Sequence, residues 1–186
     1  MKRSVSIIVL NFNGQELLRK NLPSIVENLE PDVPTEVLVV DNNSTDGSLD
    51  LLKSSFPQVK VIALDKNYGF SRGLNKGAQA ARNDLLFLLN SDIQAAKGFI
   101  SPLVKHFDDP KVFGVSPKVL RPSQHMLNES VITGSFSGGI ISAEFSLSRK
   151  LKIPDQPLEV FSVCGAAMMV DRKKFLELGG LAEMLQ

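Results

Sequence analysis

Four short apolar runs, each ending in a cluster of carboxylates and side-chain amides, constrain this chain more than any other feature. The runs are Val5 to Leu10, Val37 to Val40, Val59 to Leu64 and Leu85 to Leu89. They are rich in Val, Ile and Leu and show no polar alternation, which is how strands buried on both faces of a parallel sheet read. The polar ends are Asn11 and Asn13, then Asp41, Asn42 and Asn43, then Asp65 and Asn67, then Asn90, Ser91 and Asp92. Ligands of open α/β sheets bind outside the carboxyl ends of the strands. Four such ends on one edge point to a single site for a polar ligand, with a cation beside it.

The segments between the runs read as helices. Gln15 to Leu29 carries Leu18, Leu22, Ile25, Val26 and Leu29 at helical spacing. Pro23 inside it is expected to kink or split that helix. Leu49 to Phe56 follows the cap-rich stretch Ser44-Thr45-Asp46-Gly47-Ser48, and Ser71 to Arg82 places Leu74, Ala78 and Ala81 on one face. Each crossover is long enough for a βαβ unit. The first ninety residues therefore predict β-α-β-α-β-α-β, an α/β three-layer sandwich with a mostly parallel central sheet of Rossmann-like type.

After Asp92 the pattern predicts a helix over Phe99 to Phe107 and a short strand over Val112 to Val115. Residues 123–157 have no clean period and read as a long loop excursion with short strands inside a single domain of residues 1–186. Order returns from Leu158 to Val170. A helix over Arg172 to Leu178 then ends on Gly179-Gly180 as a C-cap.

Composition narrows the ligand. A net charge of +1 gives no global field, which disfavours nucleic acid as the main partner. Anionic small ligands remain open, because helix N-termini bind them without net charge. The one cysteine, Cys164, excludes an intramolecular disulfide, fits a reducing compartment and reads as a small core residue. No signal peptide is read, since the run after Lys2 and Arg3 is short and ends in Asn11. No apolar stretch approaches the ~18 residues needed to span a bilayer.

Each polar cluster carries a competing reading. Asp41 can accept hydrogen bonds from a base or a ribose hydroxyl, or it can form a helix-capping Asx turn. Asp46, before Gly47, reads as a cap. Asn90-Ser91-Asp92 can place a carboxylate for Mg²⁺ or Mn²⁺, or can be an ordinary turn. In Asn67-Tyr68-Gly69-Phe70-Ser71-Arg72-Gly73-Leu74-Asn75-Lys76-Gly77, three glycines straddle a helix start. They admit a ligand or a tightly packed backbone. Arg72 and Lys76 are candidates for contact with phosphate or base and Asn75 for a hydrogen bond to the ligand, while a solvated basic face is the competing reading for Lys76. The spacing is neither the dinucleotide fingerprint nor a P-loop. His106 and His125 are isolated and lack metal-ligand spacing.

Taken in order, five segments resemble the inverting family 2 glycosyltransferases, and most nearly their bacterial rhamnosyltransferase-like branch. They are Ser6 to Gly14, Val39 to Ser48, Asn67 to Gly77, Leu88 to Asp92, and Cys164 to Val170 with Phe175 to Gly180. The resemblance implies the glycosyltransferase A-type fold of nucleotide-diphospho-sugar transferases. It also implies a UDP, dTDP or GDP sugar donor, a saccharide or lipid-linked acceptor, and a role in cell-wall or polysaccharide synthesis. The expected location is cytoplasmic, with peripheral association at the inner face of the membrane left open.

By that analogy Asn11, Asn13, Asp41 and Asn43 hold base and ribose, and Gly69, Arg72 and Asn75 complete the donor pocket. Asn90, Ser91 and Asp92 occupy the Asp-Xaa-Asp position, with Asp92 as ligand to Mg²⁺ or Mn²⁺. The family's base is an acidic pair beyond the Gly-Gly. Here Leu181 to Gln186 contains only Glu183, which is read as structural, so the base is expected after Gln186. The alternatives are a nucleotide-sugar-binding module without turnover and a nucleotidyltransferase. The second is disfavoured because Asn11 to Glu16 lacks a Gly-rich basic loop.

Overall fold

The computed structural model describes residues 3–121, 126–127, 131–146, 157–160 and 162–183. Its first half alternates β1 (Val5–Asn11), α1 (Gln15–Glu27), β2 (Thr35–Asp41), α2 (Ser48–Ser55), β3 (Lys60–Ala63), α3 (Gly69–Ala80) and β4 (Leu85–Asn90). There follow α4 (Ser101–Val104) with a 3₁₀ turn (Lys105–Asp108), then β5 (Gly114–Val115), β6 (Leu120–Arg121), β7 (Met126–Leu127), β8 (Val131–Ser137) and β9 (Ile140–Ser146). The last elements are β10 (Ala167–Asp171) and α5 (Arg172–Glu177). The main sheet has six strands in the order β3-β2-β1-β4-β10-β5. β1, β2, β3 and β4 are mutually parallel, and β10 runs antiparallel to β4 and β5.

Alternate residues of each central strand feed two separate cores. Ile7, Val9, Val39, Phe87 and Leu89 pack on one face with Leu18, Leu22 and Ile25 of α1 and Leu51 and Leu52 of α2. Ile8, Leu38, Val40, Leu86 and Leu88 pack on the other with Leu74 and Ala78 of α3 and Phe175 of α5. That arrangement is the expected α/β/α sandwich. Crossovers after β1 and β3 lead to opposite sides of the sheet, so the order reverses between β1 and β4. Such a switch point leaves a crevice at the strand ends.

Several expectations need correction. The Val59 to Leu64 run was expected to be covered on both faces, but β3 pairs only with β2 and is half-buried to exposed. An edge strand has a neighbour on one side only, and sheet order is invisible in a local run. Pro23 does not split α1, which runs through it as one helix of 13 residues. The buried Leu18, Leu22 and Ile25 hold both halves against the sheet. Cys164 is half-buried and lies outside both cores. Within residues 120–146, β6 pairs with β7, and β8 pairs with β9 across Gly138-Gly139. The rest of the 123–157 excursion, with His125, lies outside the described residues.

The glycines of α3 are explained by packing. A Cβ on Gly77 would stand 2.7 Å from Ile8 Cγ2 and 2.8 Å from Val40 Cγ2. Both methyls belong to β-branched side chains on buried strands and have little freedom to retreat. Gly77→Ala is therefore expected to destabilise the chain by about 1–2 kcal/mol, overpacking outweighing the helix-propensity gain. A fall in the urea midpoint at unchanged slope would register it.

Candidate active site at the carboxyl edge of the sheet

The loops at the strand ends are stitched together by their own side chains. β1 and β2 are in register, so Asn11 stands directly opposite Asp41. Asn11 Nδ2 donates to Asp41 Oδ2 at 2.9 Å and to Ser44 Oγ at 3.1 Å. The Ser44 N–H donates to Asp41 Oδ1 at 2.8 Å. In return the Asn13 N–H donates to Ser44 Oγ, and the Thr45 N–H to Asn13 Oδ1, both at 2.8 Å. Asn11 and Asp41 have no exposed surface. Through these bonds they lock the two loops to each other, while Asn13 and Asn43 are exposed on them. Both asparagines adopt positive φ, 48° and 68°, a conformation that Asn tolerates better than most residues.

Two further residues fix the neighbouring loops. Asp46 Oδ2 accepts the first N–H of α1, from Gln15, at 2.8 Å, and its Oδ1 accepts the Ser48 N–H and hydroxyl. Burial pulls the Asp46 carboxyl up, but the Ser48 hydroxyl and these backbone N–H groups outweigh it and hold it below the usual range. The cap expected from sequence is present, and it serves two helices. Asn42, 2% exposed, accepts the Tyr68 N–H at 2.9 Å and donates to Asn67 Oδ1 at 2.7 Å and Gly69 C=O at 3.1 Å. This anchors the N-terminus of α3 to the same edge. Gly69 itself has φ 75°.

The crevice between β1 and β4 is lined differently. Asn90 and Ser91 are half-buried and Asp92 is exposed. Asn21, buried on α1, donates to Ser91 C=O at 2.9 Å and holds that turn. Asn21 was missed in the sequence, although an Asn on the apolar stripe of Leu18, Leu22 and Ile25 was a readable signal. Asn11 Oδ1 is buried without a hydrogen-bond partner among the described residues. A Cβ on Gly14 would stand 2.5 Å from it and 3.7 Å from Ser91 Oγ. Gly14 packs against this enclosed acceptor, and a side chain there would collide with it.

Arg72 and Asn75 are engaged elsewhere. Asn75 is 6% exposed and bonds to Leu181 and Glu183, and Arg72 Nε pairs with Glu183 Oε2 at 3.0 Å. They line an open depression of about 290 Å³ together with Tyr68, Lys76, Gln79 and Glu183. Lys76 Nζ lies 4.4 Å from the Tyr68 ring centroid, a cation–π contact.

The donor set decides what cation the edge can take. Among the described residues no three His, Cys, Asp or Glu side chains gather to cage a metal. Oxygen atoms of Asp92, Ser91 and Asn90 are the groups on offer. They fit a hard divalent ion held by one carboxylate and completed by phosphate oxygens of a ligand, as Mg²⁺ and Mn²⁺ are commonly held. Among the described residues no helix is long and apolar enough to cross a membrane.

A mostly parallel sheet with polar strand ends at its switch point is the Rossmann-like architecture of nucleotide-diphospho-sugar transferases. The chain belongs to glycosyl transferase family 2, which it matches over residues 6–179. It is 27% identical over 196 residues to a Caenorhabditis elegans protein named Probable N-acetylgalactosaminyltransferase 9, covering 98% of this chain and 34% of that one. A Bacillus subtilis protein named Uncharacterized glycosyltransferase YfnE is 35% identical over 103 residues, covering 54% of this chain and 26% of that one. The chain thus spans about a third of the first relative's length and about a quarter of the second's.

Among solved structures, the mannosyltransferase PcManGT from Pyrobaculum calidifontis, in complex with GDP-Man and Mn²⁺, superposes with TM-score 0.69 at 20% identity. It covers 99% of this chain and 49% of that one. GalNAc-T7, with UDP, GalNAc and Mn²⁺, gives TM-score 0.73 at 18% identity, covering 100% and 38%. At such identities the likeness establishes the fold.

Proposed function

We propose that this chain binds a nucleotide-diphospho-sugar and forms the donor half of an inverting glycosyltransferase acting on a saccharide or lipid-linked acceptor. One observation carries the reading: rigid, internally bonded loops meet at the β1/β4 switch point, beside an exposed carboxylate with no partner among the described residues. Asn11 and Asp41 act as the frame. Asn13, Asn43 and Gly69 face base and ribose from the loops so held. Ser91, half-buried at the crevice, suits N–H or O–H groups of the donor.

Asp92 would hold Mg²⁺ or Mn²⁺ jointly with the diphosphate, with Asn90 and Ser91 beside it. When bound, the cation neutralises charge on the leaving diphosphate. In transfer with inversion, the acceptor oxygen bonds to the anomeric carbon as the bond to diphosphate breaks, and the hydroxyl proton passes to a carboxylate base. Glu183 does not fit that role. Its hydrogen bond from Asn75 holds its carboxyl below the usual range, with Arg72 adding to the effect, which weakens it as a proton acceptor. The base is assigned to none of the described residues.

The test is a thermal-shift panel of UDP, dTDP and GDP, with and without Mn²⁺. A nucleotide at 100 times its dissociation constant should add about 2.7 kcal/mol to stability, readily visible as a rise in melting temperature. A metal-dependent rise with one nucleotide is expected. No rise with any of the three would overturn the reading.

A further inference from the structure

The amide of Asn75 pairs with a distant peptide group as a facing strand residue would. Its Oδ1 accepts the Leu181 N–H at 2.8 Å, and its Nδ2 donates to Leu181 C=O and to Glu183 Oε1, both at 3.0 Å. One turn earlier on α3, Arg72 Nε donates to the other Glu183 oxygen at 3.0 Å. The turn before Leu181 is built for this approach. Gly180 N–H donates to Phe175 C=O at 2.9 Å and Gly179 N–H to Leu176 C=O at 3.1 Å, the paired bonds of a Schellman cap. Gly180 has φ 78°, and a Cβ there would collide with Asn75 Oδ1.

The direction of the chain gives the contact its meaning. α3 starts at the carboxyl edge of the sheet, tied to Asn42. Its end lies at the opposite edge, where Ala80 C=O accepts from Lys60 at the start of β3. β10 runs away from the site, from Ala167 opposite Leu89 to Asp171 opposite Leu85. α5 therefore begins at the far edge. The chain returns by meeting α3 first at Asn75, through Leu181, and then at Arg72, through Glu183. It climbs α3 toward the candidate site.

We infer that Asn75 and Arg72 form a latch that receives the segment after Gly180 and steers it to the carboxyl edge, so that Asn75 is a positioning residue and not a donor contact. The latch is read from the chain's own contacts, and its consequence for transfer rests on the reading proposed above. Glu183, held below the usual carboxyl range by Asn75 first and by Arg72 as well, matches a charged partner in that latch. A group depressed in this way adds stability above its unfolded value of about 4.3, lost as pH falls through the depressed value.

Amide exchange on the whole protein tests this, with wild type, Asn75→Ala and Gly180→Ala compared at Leu181. Both variants should exchange at least about tenfold faster there, while the amides of β1 and β4 stay protected and nucleotide affinity holds within about twofold. Carbon-13 titration of the Glu183 carboxyl should move up toward the ordinary value in Asn75→Ala, with the remaining Arg72 pair keeping it from arriving there. It should move part of the way in Arg72→Gln, whose exposed position spares the fold. Unchanged protection at Leu181, or an unmoved Glu183 titration, would overturn the latch. So would a tenfold loss of nucleotide affinity in Asn75→Ala but not in Gly180→Ala. A wild type that binds no nucleotide would sink the transferase reading, and exchange and titration would then decide the latch alone.

Discussion

Asp92→Asn is expected to abolish metal-dependent nucleotide binding and to leave the melting temperature of the free chain unchanged. The two halves of that expectation have separate causes. Asp92 is exposed and accepts no hydrogen bond among the described residues, so the fold does not depend on its charge. Asparagine keeps its size and one oxygen but removes the negative charge that a hard divalent cation requires. Among the described residues no group of three His, Cys, Asp or Glu side chains forms that could hold the ion in its place. Loss of a residue supporting a metal ligand costs about 10- to 100-fold in affinity, so loss of the ligand itself should cost at least the upper part of that range. Calorimetry with and without Mn²⁺ reads it directly. Equal metal-dependent affinity in wild type and variant would remove Asp92 from the metal site.

Asp41→Ala should do the opposite and strike the fold first. Asp41 is fully buried and accepts from Asn11 Nδ2 and from the Ser44 N–H. Truncation leaves these donors without their charged partner in a site water cannot freely enter. Each buried unsatisfied group costs about 1–3 kcal/mol, so a loss of about 3 kcal/mol is expected. For a chain of this size that is a fall of about 6–12 °C in melting temperature. Nucleotide binding should weaken too, because Ser44 also holds the Asn13 N–H. Asp41→Asn offers a finer probe, since its amide must turn an N–H toward Asn11 Nδ2 or the Ser44 N–H. A melting temperature within a degree of wild type in Asp41→Ala would show that the two loops hold without the carboxylate.

Much of this was readable before any coordinates. Runs such as Leu85 to Leu89 have a single stable use in a chain of this kind, as strands covered on both faces. The polar residues that end them therefore had to share an edge. The helical period of Leu18, Leu22 and Ile25 and the Gly179-Gly180 stop were equally local. The edge position of β3 was not readable, because nothing in Val59 to Leu64 records which strands lie on either side. Pro23 was read too strongly, because a local rule takes no account of the burial that holds α1 together on both sides of it.

The site divides along the same line. Which hydrogen-bonding groups reach the carboxyl edge follows from the order of residues alone, since residue type and strand ends are local properties. Which partners those groups meet within the chain depends on long-range packing. Asn11 and Asp41 offer the same donors and acceptors to a ligand as to each other, and the β1–β2 register turns them inward. The amide of Asn75, a candidate ligand contact by its type and place in the sequence, bonds in the folded chain to a peptide group 106 residues away. The capacity to hydrogen-bond is written in the residue, but its satisfaction depends on contacts that close only when the chain has folded.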